Sequence, residues 1–156
     1  MSQELQDLYQ EVILDHSRSP RNFRALPDAT CDAQGHNPLC GDRITIHLKT
    51  GAGGTFSDIS FEGSGCAIST ASASLLTELL RDRDEKYART VAEKFHRLVM
   101  GTATIEQLED EPGPGLGKLA VFAGVSEFPA RVKCASLALY TLKQALERKT
   151  ETATTE

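Results

Sequence analysis

The sequence has no excess of positive charge, no long apolar run and no internal repeat. Seventeen Lys and Arg stand against 22 Asp and Glu, a formal charge of -5 at pH 7. No global positive field recruits nucleic acid or an anionic membrane, so neither is expected as a partner. The longest apolar stretch, Leu119 to Val125, is seven residues, far short of the roughly 20 that cross a bilayer as a helix. The acidic start Met1-Ser-Gln-Glu-Leu-Gln-Asp7 does not read as a secretory signal. A cytoplasmic location is therefore expected. With 156 residues, 40% of them hydrophobic, the chain suits one domain with a sizeable core and excludes a second large one. The expected division is a single domain over 1–148 and a disordered, low-complexity tail over 149–156.

Common chemical signatures are missing too. No His-Glu-x-x-His pairing links His16, His36, His47 or His96. His47 and His96 read as structural or exposed, while His16 and His36 are left as candidates for a partner surface. Gly113-Pro-Gly-Leu-Gly117 lacks the lysine-serine of a phosphate loop and follows an acidic run, so it is turn chemistry.

Hydrophobic patterning supplies the elements. Apolar residues at Leu5, Leu8, Tyr9, Val12 and Ile13 predict an amphipathic helix ending near His16, followed by a loop from Ser17 to Pro27. Strict alternation from Arg43 to Thr50 predicts a half-buried antiparallel strand. Thr55 to Glu62 returns after Gly51-Ala-Gly-Gly54, with a bulge between Phe56 and Ile59, and a short third strand precedes Pro38. Helices are expected from Cys66 to Leu80, from Asp84 to about Met100, at Leu116 to Phe122 and from Pro129 to Arg148, with an irregular loop over Glu109 to Gly117. The fold class is α+β: a small, mainly antiparallel three-stranded sheet with helices packed on one side.

Four cysteines remain: Cys31, Cys40, Cys66 and Cys134. In a reducing compartment such thiols are more often buried, catalytic or metal-bound than paired in disulfides. Cys40-Gly-Asp42 opens the first clear strand, Gly65-Cys66 marks the change from strand to helix, and Cys134 lies in the first turns of the last helix. Side chains at element ends can converge. Three thiolates and the carboxylate of Asp42 would complete the four-ligand shell of zinc, and Gly41 gives the backbone freedom to aim two ligands at one ion. On spacing alone, three unrelated buried thiols remain the alternative. Cys31 reads as a spare thiol.

The surrounding residues carry a resemblance. Leu8 to Asn22, Asn37-Pro-Leu-Cys-Gly-Asp-Arg43, Phe61-Glu-Gly-Ser-Gly-Cys-Ala-Ile-Ser69 through Ser74, and Phe128-Pro-Ala-Arg-Val-Lys-Cys-Ala135 resemble successive signature blocks of the IscU/SufU iron–sulfur cluster assembly superfamily. Scaffolds of the IscU type have a histidine immediately before the last cysteine. This chain has Lys133 there and a longer stretch between Cys66 and Cys134, both of which resemble the SufU branch.

The resemblance implies a zinc-dependent sulfurtransferase. It would accept persulfide sulfur from a SufS-type cysteine desulfurase and pass it to a downstream iron–sulfur assembly scaffold. The ligands it implies are Cys40, Asp42, Cys66 and Cys134, with Cys40 the sulfur-accepting, catalytic thiol. The family mechanism also implies a desulfurase histidine that displaces the acceptor cysteine from zinc. Two competing readings are an iron–sulfur scaffold that assembles a labile cluster on the same thiols and an adaptor with a structural zinc. Three thiolates and a carboxylate around a divalent ion leave a formal charge of -2, which is unfavourable to bury uncompensated. Arg131 and Lys133, beside Cys134, are the expected auxiliary charges. The alternative is that both are solvated helix residues.

Overall fold

Ile44, Ile46 and Leu48 bury one face of a strand, and the sheet is built around it. A computed structural model describes residues 3–148 and 152–155. Strands β1 (Cys31–Asn37), β2 (Asp42–Thr50) and β3 (Phe56–Ser64) form an antiparallel meander. Asn37 pairs with Asp42 at the first hairpin, and Arg43 pairs with Ser64 where β3 ends. The expected bulge is present: Lys49 pairs with Asp58 and Thr50 with Phe56, leaving Ser57 extra on β3.

A fourth strand corrects the sequence reading. β4 (Ala153–Thr154) lies parallel to β1, opposite Gly35 and His36, so the sheet is mixed, with order β3-β2-β1-β4. The tail was expected to be disordered. Instead Ala153 is buried, and its apolar side chain with two ladder positions against β1 outweighs the local polarity. Lys149, Thr150, Glu151 and Glu156 of that tail lie outside the described residues.

Among the described residues, five α-helices accompany the sheet: α1 (Gln3–Arg18), α2 (Ala67–Leu80), α3 (Glu85–Met100), α4 (Ile105–Asp110) and α5 (Pro129–Leu146). α5 lies across β1 and β2, and α2 fits between α5, β3 and α1. Small residues on α2 and α5 permit the close approach: Ala71, Ser72, Ala73, Ala135, Ser136 and Ala138 are all fully or almost fully buried. Asp84 caps α3 through Tyr87 N–H, and Gly101 ends it in the left-handed region.

α4 was not expected. Its signal is the capping box of Thr104 and Gln107, each side chain satisfying the other's backbone N–H. The segment expected as a helix at Leu116 to Phe122 forms a 3₁₀ helix over Gly117–Phe122. No helix among the described residues is long and apolar enough to cross a membrane.

Candidate metal centre

The β1–β2 hairpin, the N-terminus of α2 and the second turn of α5 meet at one end of the sheet. The hairpin turn, Pro38 to Gly41, closes with Gly41 N–H donating to Asn37 C=O over 2.8 Å. Gly41 has φ +73°, the left-handed conformation that glycine adopts without steric cost. This conformation carries the chain from Cys40, which is exposed, to Asp42, which is 3% exposed and opens β2.

Cys66 is the N-cap of α2. Its backbone N–H donates to Asp42 Oδ1 over 3.0 Å, and its sulfur accepts from Ser69 N–H over 3.5 Å, facing the positive end of the helix dipole. Ser69 Oγ donates to Asp42 Oδ2 over 2.6 Å. Both carboxylate oxygens are thereby fixed by the first turn of α2. Cys134, on α5, is buried, with its sulfur 3.6 Å from Cys40 Sγ.

Cys40 Sγ, a carboxylate oxygen of Asp42 and Cys134 Sγ lie within 4.8 Å of one another. Tetrahedral zinc–sulfur bonds of ~2.3 Å separate two thiolates by ~3.8 Å, so the 3.6 Å between Cys40 and Cys134 suits one ion between them. Burial pushes the Cys134 thiol far above its ordinary 9.0, and the neighbouring thiols of Cys66 and Cys40 push it further. A divalent cation reverses that balance, because a coordinated thiol is deprotonated outright. Soft sulfur donors with one carboxylate are a donor set that zinc accepts.

Of the four ligands named from the sequence, the structure gathers Cys40, Asp42 and Cys134. The Cys66 sulfur contacts Ser69 and lies outside the trio. Cys31 stands at the opposite end of β1, six residues or ~20 Å from Asn37. The four histidines are also elsewhere. His16 is buried with Nδ1 2.7 Å from Ser74 Oγ, His47 lies between Asp32 and Glu62, His36 lies beside β4, and His96 faces Tyr140.

Arg131 and Lys133 diverge around α5. The Arg131 guanidinium sits 4.6 Å over the half-exposed Phe128 ring, at a cleft of about 350 Å³ that Tyr9, Ile13 and Ile68 also line. Lys133 borders a different cleft, of about 310 Å³, with Met100, Tyr140 and Thr155. Sequence reasoning missed Ser69 and Asn37. Ser69 stands three residues after Cys66 within the block that carried the family resemblance, the position from which a helix residue reaches back to its cap.

Residues 8–135 match the family described as the NifU-like N terminal domain. The zinc-dependent sulfurtransferase SufU of Bacillus subtilis is 36% identical over 144 residues, covering 92% of each chain. The iron–sulfur cluster assembly scaffold protein IscU of Streptococcus pyogenes is 38% identical over 144 residues, 92% of this chain and 86% of that one. A Fervidobacterium islandicum crystal structure, of a candidate iron–sulfur cluster assembly scaffold for the SUF system, superposes with a TM-score of 0.76. It shares 28% identity and spans 90% of this chain and 98% of its own.

Proposed function

The chain belongs to the NifU-like N-terminal domain family of iron–sulfur cluster assembly proteins, and from that premise we propose that it is a zinc-dependent sulfur acceptor for a cysteine desulfurase. The observation that carries this reading is the asymmetry of the thiols. Cys40 is exposed on a turn, while its neighbour at 3.6 Å, Cys134, is buried in α5. One sulfur can therefore meet a partner while that of Cys134 stays within the protein.

Zinc would be held by Cys40, Asp42 and Cys134 with Cys66 as the fourth ligand, and would keep these thiols as thiolates at neutral pH without redox activity of its own. The chain's residues supply the remainder. The Cys40 thiolate attacks the outer sulfur of the desulfurase persulfide. A sulfur–sulfur bond to Cys40 forms as the bond to the desulfurase cysteine breaks, and that cysteine leaves with the electron pair as a thiolate. No oxidant is consumed. Asp42 stays fixed by Cys66 N–H and Ser69 O–H while Cys40 changes partner. Arg131 and Lys133 are the cations proposed to offset the anionic centre or the persulfide. The setting is the cytoplasm, the desulfurase is of the SufS type, and the sulfur goes on to a downstream scaffold.

A second reading is that the same thiols assemble a labile cluster. The Streptococcus pyogenes relative is named a scaffold, and thiolates serve iron–sulfur clusters equally well. Lys133, at the position where the resemblance implies a histidine in scaffolds of the IscU type, favours sulfur transfer. The test is to purify the chain without added metal, measure zinc, iron and acid-labile sulfide, and assay desulfurase turnover with wild type and Cys40→Ala. About one zinc per chain, with stimulation by wild type alone, supports sulfur transfer. Iron with sulfide supports the scaffold, and undiminished stimulation by Cys40→Ala reduces the zinc to a structural role.

A further inference from the structure

Asn37 ends β1 with its side chain wholly buried. It is not a customary metal ligand, yet its carbonyl and its side-chain amide join the Cys40 turn, Thr155 and the Cys134 sulfur. Its peptide carbonyl accepts Gly41 N–H over 2.8 Å. Its side-chain Oδ1 accepts Leu39 N–H over 3.3 Å, an Asx turn around Pro38, and the Thr155 hydroxyl over 2.9 Å. Its Nδ2 donates to Cys134 Sγ over 3.7 Å. The orientation of the amide is determined by its partners. A backbone N–H can only donate, so the oxygen must face Leu39, which turns the NH₂ group toward the sulfur.

We propose that Asn37 is a positioning residue of the metal centre, joining the Cys40 turn to the Cys134 sulfur through one planar amide that Thr155 braces. The inference rests on the zinc reading above. Cys40 and Asp42 come from the hairpin, whereas Cys134 comes from α5, 94 residues after Cys40. Ligands from such distant elements hold one ion only if something fixes their separation. An N–H donated to a ligand sulfur orients its lone pairs and draws charge from it, and losing such an outer partner typically costs ~10–100-fold in metal affinity. Thr155 lies beyond the residues that match the family, and the short β4 pairing delivers it to Asn37. The tail thus contributes to the centre without providing a ligand.

The test uses the full chain and two readouts: zinc affinity by competition with a chromogenic chelator, and the thiolate-to-metal charge-transfer band of the cobalt(II) form. Circular dichroism reports the fold. Asn37→Ala is expected to bind zinc ~10–100-fold more weakly than wild type. Asn37→Asp is the decisive variant, because it keeps an oxygen for Leu39 and Thr155 but turns a second oxygen, not an N–H, toward Cys134. It is expected to remain at least ~10-fold weaker and to shift the cobalt band. Thr155→Val is expected to give a smaller loss.

Wild-type affinity and spectrum in Asn37→Asp would mean that Asn37 only holds the turn, which overturns the proposal. Unchanged affinity in Asn37→Ala overturns it equally, and unchanged affinity in Thr155→Val removes the brace. If Asn37→Ala fails to fold, Asn37→Asp and Thr155→Val decide the matter. A wild type that takes up neither zinc nor cobalt defeats the zinc reading and this inference with it. Tight uptake by wild type and all variants defeats the inference alone.

Discussion

Ser69 Oγ lies 2.6 Å from Asp42 Oδ2, and Cys134 C=O lies 3.3 Å from the same hydroxyl. The hydroxyl has one proton to give, and the shorter contact to the stronger acceptor takes it. Ser69 therefore serves Asp42, a proposed ligand, without being one. Ser69→Ala leaves one oxygen of a buried carboxylate without its protein donor, a loss of about 1.5–3 kcal/mol for a hydrogen bond to a charged group. Zinc affinity is expected to fall by ~10-fold or more. Urea titration of the metal-free chain and chelator competition measure the two effects, and unchanged values in both would show that the 2.6 Å contact contributes nothing.

Gly63 makes a comparable contribution through the backbone. Its φ of +139° is open to glycine, and a Cβ there would overlap the carbonyl oxygen of Arg43, the residue after Asp42. Gly63→Ala combines backbone strain of about 1–3 kcal/mol with a collision against main chain that cannot rotate away. The expected outcome is a melting temperature lower by roughly 4–8 °C, the shift that ~2 kcal/mol produces in a chain of this size. Differential scanning calorimetry checks it. A wild-type melting temperature would mean that the β2–β3 pairing opens freely at this point.

What the sequence revealed and what it concealed divide by the range of the interaction. Alternation in Arg43 to Thr50 and the leucines of α2 report burial directly, because each residue's environment repeats with the period of its own element. Cys40, Asp42 and Cys134 were legible as thiols and a carboxylate at element ends. β4 was not, since Ala153-Thr154 has no pattern of its own and exists only because β1 offers an edge. Lys94 illustrates the same limit. On an otherwise apolar face of α3 it is 2% exposed, its ammonium donating to the carbonyls of Pro112 and Pro114 and organising a loop that reads as mere turn chemistry. Asn37 and Ser69 escaped notice because hydrogen-bonding to Cys134 or Asp42 leaves no spacing rule in the chain.

Two histidines outside the centre predict how stability depends on pH. Burial holds His16 below its ordinary 6.5, with the Arg21 charge adding to it, and burial followed by Lys143 does the same to His96. With its proton on Nε2, neutral His16 accepts from Ser74 O–H at Nδ1 while Ser74 Oγ accepts the Arg21 backbone N–H, and protonation of the ring would turn the His16–Ser74 bond around. Because the folded pKa is depressed, the unfolded chain binds more protons as the pH falls below 6.5. The stability contribution is complete above about 6.5 and is lost as the pH falls from there through the folded pKa, at no more than ~1.4 kcal/mol per pH unit for each histidine. Urea unfolding at pH 7.5, 6.5 and 5.5 should show that decline, with a shallower slope in His16→Gln. A flat profile in the wild type would contradict the assignment.

The cations flanking Cys134 should separate by function, because their side chains leave α5 in different directions. Arg131 stacks on Phe128 at the cleft beside α1, where an incoming partner can reach it, whereas Lys133 borders the cleft that includes Thr155. Neither bonds to Asp42, whose oxygens are taken by Cys66 N–H and Ser69 O–H. Zinc content should accordingly survive Arg131→Ala, while the rate of sulfur transfer falls and loses part of its dependence on salt, as expected for a charge that guides an anionic partner or holds a persulfide. Lys133→Ala should act on metal affinity, through the field at the centre, more than on encounter with the desulfurase. Zinc per chain, zinc affinity and transfer rate at low and high salt distinguish the two. If both variants keep full zinc affinity and full transfer rate, the charge of the centre is compensated without them and their proposed role is wrong.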